Sequence, residues 1–218
     1  MITDDSVAIV VMAKAPEPGQ VKTRLVPPLS AGGAAVLAAR FARRTLTTAV
    51  AAALGPVTLG CAPDATHEFF KVCARRHGVT LVDQGDGDLG ARMQRMLATA
   101  LERHRRVLLL GTDVPSVEPH DLRAAAVALA DGADLVIGPA IDGGYWLIGA
   151  RRIDASLFDG IAWSTPGVLA ATRARIAALG WNAAEIATHA DVDLPSDLEG
   201  LWATPATAAL LDGLMTPS

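Results

Sequence analysis

A cluster of positive charge follows the first apolar run of the chain. Lys14, Lys22 and Arg24 lie in the segment 14–25, where two prolines stiffen the backbone and Gly19 leaves it free to turn. Fixed cations on a stiff loop suit the negative charge of a polyphosphate. The alternative is a solvated basic loop. Because three cations share one loop in an acidic protein, we favour an anion site.

A carboxylate follows a second apolar run. Asp113 comes shortly after Val107–Leu110, and Pro115 prevents a strand from continuing beyond it. A carboxylate at such a position can hold a Mg²⁺ ion that bridges phosphate oxygens. It can equally form an Asx turn or cap the helix that begins near Pro119. These two interpretations are evenly matched when Asp113 is considered alone.

Two more carboxylates alternate late in the chain. Asp191 and Asp193 flank Val192, so in an extended segment both side chains point to the same side. We do not expect them to cap a helix. That role suits Ser196 or Asp197, which fall in the first turn of a predicted last helix.

A glycine pair lies between two predicted strands. Gly143 and Gly144 follow Asp142 and precede Tyr145. Glycines let a backbone approach a ligand closely and expose its amide donors. They also suit a tight connection between strands, and the two roles are compatible.

A G-x-G-x-x-G pattern spans Gly85–Gly90 and resembles a dinucleotide-binding fingerprint. We reject that interpretation because Asp86 and Asp88 would place two negative charges where a pyrophosphate must sit. The pattern also follows the third predicted strand, whereas the usual site is the first strand-to-helix turn. An NAD-dependent enzyme remains an alternative hypothesis that a titration with NAD(H) would test.

The elements that must position these residues are visible as short apolar runs separated by longer alanine-rich stretches. The runs predict strands covered on both faces, as in a mostly parallel sheet. They are Val7–Met12, Val57–Cys61, Val79–Val82, Arg106–Leu110, Leu135–Ile137 and Tyr145–Ile148. The stretches predict helices at Ala31–Leu54, Ala65–His77, Leu89–Arg105, Pro119–Asp131, Thr165–Leu179 and Pro195–Leu214. This order predicts an α/β fold with right-handed crossovers, in which ligands bind beyond the carboxyl ends of the strands.

Several residues are predicted to mark helix boundaries. Ser30 and Asp64 are suited to capping the first and second helices, and Pro119 to opening the fourth. Glycines follow three helices, where a left-handed residue is usually wanted. They are Gly55, Gly78 and Gly180.

Composition excludes several classes of protein. The chain has 218 residues, of which 51% are hydrophobic and 19% are charged, so a disordered chain is excluded. A formal net charge of −4 argues against a general nucleic-acid binder.

No apolar stretch approaches the ~20 residues of a spanning helix, so we expect no membrane span. The acidic start lacks the basic residues of a secretory signal, which predicts a cytoplasmic protein. Cys61 and Cys73 are expected to be buried thiols, and the apolar excess permits a homodimer.

Six segments, taken in order, resemble the bacterial DUF2064 family, whose members are described as GT-A-like glycosyltransferases. They are MAKAPEPGQVKTRL (12–25), QGDGDLGARM (84–93), GTDVP (111–115), DGGYWLIG (142–149), WST (163–165) and DVDLPSDL (191–198). More distantly, the chain is similar to guanylyltransferases that activate phospholactate or phosphoenolpyruvate. The resemblance implies one GT-A domain over residues 1–218, with a mostly parallel central sheet flanked by helices.

The resemblance also implies a nucleotide or nucleotide-sugar donor, a small-molecule acceptor and a Mg²⁺ or Mn²⁺ ion. In related enzymes a residue like Asp113 holds the metal, and Asp191 and Asp193 are the candidates for the late carboxylate. Catalytic roles fall to Asp113, Lys22 and Arg24. We assign nucleotide contacts to Ala13, Lys14, Gly19, Lys22, Arg24 and Asp88. Acceptor contacts are assigned to Asp142, Gly143, Gly144, Tyr145, Trp163 and Ser164.

Three functions remain open at this point. The first is glycosyl transfer from a nucleotide sugar, which the family resemblance favours. The second is nucleotidyl transfer from a nucleoside triphosphate with release of pyrophosphate. The chain lacks a D-x-D after the middle strand, which favours this second reaction. The third is nucleotide binding without turnover, as in a sensor or partner subunit.

Overall fold

A computed structural model describes residues 3–215. Seven strands form one sheet in the order β3-β2-β1-β4-β6-β5-β7. Neighbouring strands are parallel except at β6, which runs antiparallel to both β4 and β5. The strands are β1 Thr3–Lys14, β2 Val57–Ala62, β3 Thr80–Asp83, β4 His104–Leu110, β5 Leu135–Pro139, β6 Tyr145–Ala150 and β7 Ala183–Glu185. The predicted α/β fold with a mostly parallel sheet is confirmed.

Six α-helices accompany the sheet in the described part of the chain. They are α1 Ala31–Ala51, α2 Glu68–His77, α3 Leu89–Leu101, α4 Pro119–Ala130, α5 Val168–Ala178 and α6 Pro205–Ala208. Short 3-10 segments add Thr23–Leu25, Ala155–Leu157, Pro195–Ala203 and Ala209–Leu211.

Strand β1 shows why the sheet is covered on both faces. Its side chains alternate, so Ile9 and Val11 enter one core cluster while Val10 and Met12 enter the other. The first cluster includes residues of α1, α2 and α4, and the second includes residues of α3 and α5. Every residue of Val7–Ala13 is buried, which explains the continuous apolar run in the sequence.

Several predicted boundaries are wrong, each for a local reason. Helix α3 ends at Leu101 rather than at Arg105, because the chain from His104 onward pairs with β1 as strand β4. Helix α2 begins at Glu68 rather than at Ala65. Before it, the Asp64 carboxylate accepts a hydrogen bond from the Thr66 amide at 2.7 Å and forms a turn.

Helix caps follow the predictions in part. The Ser30 hydroxyl accepts a hydrogen bond from the Gly33 amide and caps α1, and Pro119 opens α4 as expected. The predicted cap of α2 is wrong, since the ring of His67 caps that helix instead of Asp64. Gly78 and Gly180 adopt the expected left-handed conformation. Gly55 does not, because α1 already ends at Ala51.

The last predicted helix is broken. Between Pro195 and Leu211 the chain forms a 3-10 segment, the short α6 and a further 3-10 turn. Its leucines pack with residues of α1 in a third core cluster. Arg40 of α1 fixes the end of this segment, because its Nη1 donates to the carbonyls of Leu210 and Asp212 at 2.7 and 2.8 Å.

The two cysteines are buried and free, as predicted. Burial raises the pKa of the Cys61 thiol to about 12. Within residues 3–215, the helices are all too short or too polar to cross a membrane.

Candidate functional site

A cleft of about 570 Å³ opens beyond the carboxyl ends of β1 and β4. Twelve of the fifteen predicted site residues line it. They are Ala13, Lys14, Lys22, Arg24, Asp113, Asp142, Gly144, Tyr145, Trp163, Ser164, Asp191 and Asp193. The remaining three, Gly19, Asp88 and Gly143, are not among the residues that line the cleft. Residues that are far apart in sequence thus meet at the edge of the sheet where ligands of such folds bind.

The basic loop leaves β1 and is anchored at its far end. Leu25 is fully buried in the third core cluster, at the end of the 3-10 segment Thr23–Leu25. Between these anchors the chain turns at Gly19, whose φ is +77°, and again at Lys22, whose φ is +46°. A positive φ is unfavourable for a lysine. The Leu25 amide donates to the Lys22 carbonyl at 3.0 Å, and this bond helps to hold the backbone there, together with the contacts of the Lys22 side chain.

The Lys22 ammonium lies between two carboxylates. Its Nζ donates to Asp193 Oδ1 at 2.8 Å and to the Val192 carbonyl at 2.7 Å, and it forms an ion pair with Asp113 Oδ1. The side chain is only 6% exposed. An ammonium has three hydrogens to donate, so these three oxygens use them all.

The protonation of Lys22 follows from its surroundings. Burial acts to lower the pKa of the ammonium, but the charges of Asp113 and Asp193 outweigh it, and the pKa lies above its ordinary value. Hydrogen bonds to the same two carboxylates act in the same direction. Lys22 is therefore a permanent cation in the cleft.

The other carboxylates of the cleft crowd one another. Burial raises the pKa of Asp191, and the negative charges of Asp142, Asp193 and Asp197 raise it further. Asp142 also shapes the turn between β5 and β6, since its Oδ1 accepts a hydrogen bond from the Gly144 amide at 2.8 Å.

The family resemblance implies a divalent metal, and its expected ligands are the carboxylates of Asp113, Asp191 and Asp193. Among residues 3–215, no three His, Cys, Asp or Glu side chains are grouped to hold a metal ion. The predicted three-carboxylate site of Asp113, Asp191 and Asp193 therefore does not form in this structure. However, Asp113 and Asp193 each bring one oxygen to the same cation, the Lys22 ammonium. Since Mg²⁺ often needs only one or two carboxylates plus phosphate oxygens, this pair fits a metal that arrives with a nucleotide.

The loop between β3 and α3 contains functional candidates that the sequence interpretation missed. Gln84 is buried, and its Nε2 donates to the carbonyls of Ala13 and Gly60 at 3.0 and 2.9 Å. These bonds hold the end of β1 in place beside the cleft, which Gln84 also lines. The sequence did contain a signal for Gln84, because this residue begins segment 84–93, one of the six segments that carry the family resemblance.

Two arginines brace the same loop. Arg95 donates to the carbonyls of Gln84 and Asp86 at 2.5 and 3.0 Å, and Arg92 donates to the Gly87 carbonyl at 2.9 Å. Arg92 also lines the cleft, which makes it a further cation there. Three backbone carbonyls of the loop are thus bonded to arginine side chains.

Asp88 has a structural role in that loop. Its carboxylate accepts a hydrogen bond from the Ala91 amide at 2.8 Å and caps α3. A cap of this kind satisfies a helix amide that would otherwise lack a partner. The predicted nucleotide contact of Asp88 thus has no support from its position.

Gly143 joins the β5–β6 turn to the segment before α5. Its φ is +90°, and a Cβ at this position would lie 2.2 Å from the Pro166 carbonyl oxygen. The Gly143 carbonyl in turn accepts a hydrogen bond from the Leu169 amide at 2.9 Å. Only glycine fits this close approach, so the close packing here is against protein.

Three aromatic residues line the cleft near this turn, namely Tyr145, Trp146 and Trp163. Trp163 stacks on Phe158, with ring centroids 6.2 Å apart, and packs so closely on Gly90 that a Cβ there would lie 2.5 Å from its ring. Trp163 therefore packs against the protein on Phe158 and Gly90, and it also lines the cleft. Burial raises the pKa of the Tyr145 hydroxyl well above its usual range.

Charges are divided between the elements around the cleft. Lys14 ends β1, Arg24 lies in the loop that follows it, and Arg92 lies in the first turn of α3. The carboxylates follow other strands or lie in the late segment. They are Asp113, Asp142, Asp191 and Asp193. Such a cleft can bind an anion on its cationic elements and metal ions or hydroxyl groups on its acidic ones.

Solved structures share this architecture. A candidate nucleotide-diphospho-sugar transferase from Desulfovibrio desulfuricans G20 is 29% identical, with a TM-score of 0.85, over 96% of this chain and 95% of that chain. A nucleotidyl transferase from Methanothermobacter thermautotrophicus is 17% identical, with a TM-score of 0.57, over 96% and 99% of the two chains. A glucosyl-3-phosphoglycerate synthase from Mycobacterium tuberculosis, solved with Mn²⁺ and UDP, is 13% identical, with a TM-score of 0.51, over 98% and 81%. The last two likenesses concern the fold alone.

The fold and the cleft define an α/β protein of the GT-A type, the architecture of nucleotide-diphospho-sugar transferases. The chain belongs to the family described as uncharacterized protein conserved in bacteria (DUF2064), whose model matches residues 45–165. Both parts of the sequence-based resemblance, the family and the GT-A fold, are confirmed. No curated protein matches the chain in sequence.

Proposed function

We propose that this protein is an enzyme that binds an activated nucleotide with a divalent metal and transfers part of it to a small-molecule acceptor. One observation carries the proposal. The basic loop after β1 and the carboxylates Asp113 and Asp193 meet in one cleft at the carboxyl edge of the sheet. This is the edge at which α/β proteins bind their ligands.

The donor's phosphates are assigned to the cationic elements. Lys14 is exposed, with its Nζ bonded to the Gln20 carbonyl at 3.0 Å, and Arg24 and Arg92 line the same cleft. These side chains would neutralise phosphate charge as a diphosphate or pyrophosphate leaves. Preorganised cations of this kind supply much of the rate enhancement in phosphate chemistry.

Asp113 and Asp193 are assigned to the metal. A divalent metal bound to them would supply positive charge at the phosphate oxygens of the donor. The two carboxylates come from the end of β4 and from the segment before the 3-10 turn at Pro195. A backbone hydrogen bond joins the two segments, since the Val192 amide donates to the Asp113 carbonyl at 2.9 Å.

The acceptor is assigned to the acidic elements of the cleft. Asp142, Tyr145, Trp163 and Ser164 line it there. A carboxylate accepts hydrogen bonds from hydroxyl groups, and an aromatic ring can stack on a sugar or base. These groups would hold the acceptor hydroxyl near the donor.

Glycosyl transfer is the reaction favoured by the likeness to the Desulfovibrio protein, and nucleotidyl transfer is the second candidate. The second is favoured by Asp113 standing alone after β4, in the sequence Gly111-Thr112-Asp113-Val114-Pro115, with no D-x-D. The two reactions release different products. Incubation with nucleotide sugars, nucleoside triphosphates, Mn²⁺ and a panel of acceptors would release a nucleoside diphosphate in the first case and pyrophosphate in the second.

The same assay tests the proposal as a whole. The variant Asp113→Asn should lose turnover. The variant Asp159→Asn is the control and should keep turnover, because Asp159 is exposed and lies outside the cleft lining. Nucleotide binding by calorimetry without any product from the acceptor panel would favour a binding protein over an enzyme. The proposal would be contradicted if no nucleotide bound and no product formed.

A further inference from the structure

The Lys22 ammonium occupies the position at which Asp113 and Asp193 would hold a metal. Its Nζ contacts one oxygen of each carboxylate and the Val192 carbonyl. A Mg²⁺ ion bound by the same two oxygens would lie roughly 2.1 Å from each. A metal and the ammonium would then overlap, and their positive charges would repel.

The contacts of Lys22 also leave it unable to bind a phosphate where it stands. All three of its hydrogens are directed at protein oxygens, and its side chain is almost fully buried. This arrangement differs from Lys14, which is exposed and donates to one carbonyl of its own loop. Lys14 can meet a phosphate directly, whereas Lys22 must first leave its carboxylates.

The backbone at Lys22 indicates that such a movement is available. Lys22 is one of three non-glycine residues in the described chain with a positive φ. A conformation of this kind is costly for a lysine and persists only while contacts hold it. Release of the ammonium from Asp113 and Asp193 would free this residue to relax.

We propose that Lys22 is an internal counter-cation, which holds the metal position in the nucleotide-free protein and is displaced when a divalent metal binds. Lys22 balances part of the charge of Asp113 and Asp193 until the metal replaces it, and the freed ammonium can then reach a phosphate of the donor. This inference rests on the metal site of the proposed function. In this role Lys22 lowers the affinity of the two carboxylates for a metal ion, because the metal has to displace the ammonium.

The first test is Mn²⁺ binding without nucleotide, measured by electron paramagnetic resonance. Lys22→Met should bind Mn²⁺ more tightly than the wild type, by roughly 10- to 150-fold, because a charge-assisted contact no longer has to be broken. Lys71→Met, at an exposed lysine outside the cleft lining, is the matched control and should leave the affinity unchanged. Equal or weaker binding by Lys22→Met, or no measurable binding by it, would overturn the proposal.

The second test uses the wild-type protein and therefore does not depend on how the variant folds. Acetylation of lysines, followed by mass spectrometry, should modify Lys14 readily and Lys22 slowly. Saturating Mn²⁺ should increase the labelling of Lys22 and leave that of Lys14 unchanged. Unaltered labelling of Lys22 in protein that has bound Mn²⁺ would overturn the proposal.

Neither readout requires nucleotide or turnover. If the protein binds no nucleotide but both tests succeed, the proposed function fails while the exchange of Lys22 for metal stands. If nucleotide binds and reacts but both tests fail, the enzyme stands and Lys22 is a fixed structural cation.

Discussion

The Nζ atom of Lys22 lies 2.8 Å from Oδ1 of Asp193, a residue 171 positions further along the chain. The contact joins the loop after β1 to the segment that leads into the C-terminal turns. Both partners adjoin the third core cluster, which contains Leu25 and Val192. The charged contact in the cleft and the docking of the C-terminal segment therefore depend on each other.

Removing this contact should destabilise the protein. Asp193→Ala leaves the buried Lys22 ammonium without one of its two carboxylates, which we expect to cost about 1–3 kcal/mol in the free energy of unfolding. Urea denaturation followed by circular dichroism measures the change. Glu199→Ala removes an exposed carboxylate from the same segment and should cost less than about 0.5 kcal/mol. Equal losses in the two variants would show that the Lys22–Asp193 contact contributes nothing to stability.

Arg24 should bind the phosphates of the donor. Arg24→Ala should weaken nucleotide binding by roughly 10- to 150-fold for a triphosphate and far less for the nucleoside. Calorimetric titration with the nucleoside and its mono-, di- and triphosphate would show this dependence. Arg103→Ala is the control, because Arg103 is exposed just before β4, at the opposite edge of the sheet. A loss that is the same for nucleoside and triphosphate would exclude a phosphate contact.

The sequence predicted most of the fold because most of its strands are buried on both faces. Six apolar runs correspond to β1–β6, while β7 was missed. Strand β7 spans only Ala183–Glu185, is not buried, and has no β-branched residue to signal a strand. It forms by pairing with β5, and such pairing depends on tertiary structure rather than on local sequence.

Gly90 should tolerate no side chain beside Trp163. A Cβ at Gly90 would lie 2.5 Å from the indole ring, so Gly90→Ala should cost about 1–3 kcal/mol and disturb the stack on Phe158. Urea denaturation and tryptophan fluorescence measure both effects. Gly200→Ala is the matched control, because nothing lies within 4 Å of a Cβ at that position. Trp163→Phe in the Gly90→Ala background should restore part of the loss, and no recovery would argue against a clash with the ring.

Asp134 should make stability depend on pH in the acid range. The Asn182 amide and the Arg152 guanidinium donate to Asp134 Oδ2 at 2.9 and 2.7 Å, and these bonds hold the pKa of Asp134 below its ordinary value. Because the folded pKa is lower than the unfolded one, the stabilisation is present above the unfolded pKa of about 4 and is lost as the pH falls through the folded value.

The variant Asp134→Asn isolates this contribution. It should be less stable than the wild type at pH 7, by about 1 kcal/mol, and the difference should shrink below pH ~4 as the wild-type carboxylate takes up a proton. Urea denaturation at a series of pH values measures the difference. A gap that stays constant down to pH ~2 would contradict the assigned contacts.

Many residues of the candidate site could be predicted from the sequence, but their contacts with one another could not. Spacing indicated that Asp191 and Asp193 share a side, but it could not show that Lys22 would lie between Asp193 and Asp113. That placement depends on the third core cluster, in which Leu25 and Val192 bring two distant segments together. Arg92 and Gln84 were overlooked because their roles arise from the fold of the loop before α3 rather than from a charge pattern.

The most direct measurement of the proposed site is calorimetric titration of the protein with nucleotides in the presence of Mn²⁺. The wild type should bind at least one common nucleoside diphosphate or triphosphate, and Mn²⁺ should strengthen that binding. Asp113→Asn should abolish the strengthening, because it removes one charged metal ligand while its amide oxygen can still accept from Lys22. Asp159→Asn should behave as the wild type. Failure of every nucleotide to bind, or full retention of the Mn²⁺ effect in Asp113→Asn, would contradict a metal-nucleotide site between the basic loop and Asp113.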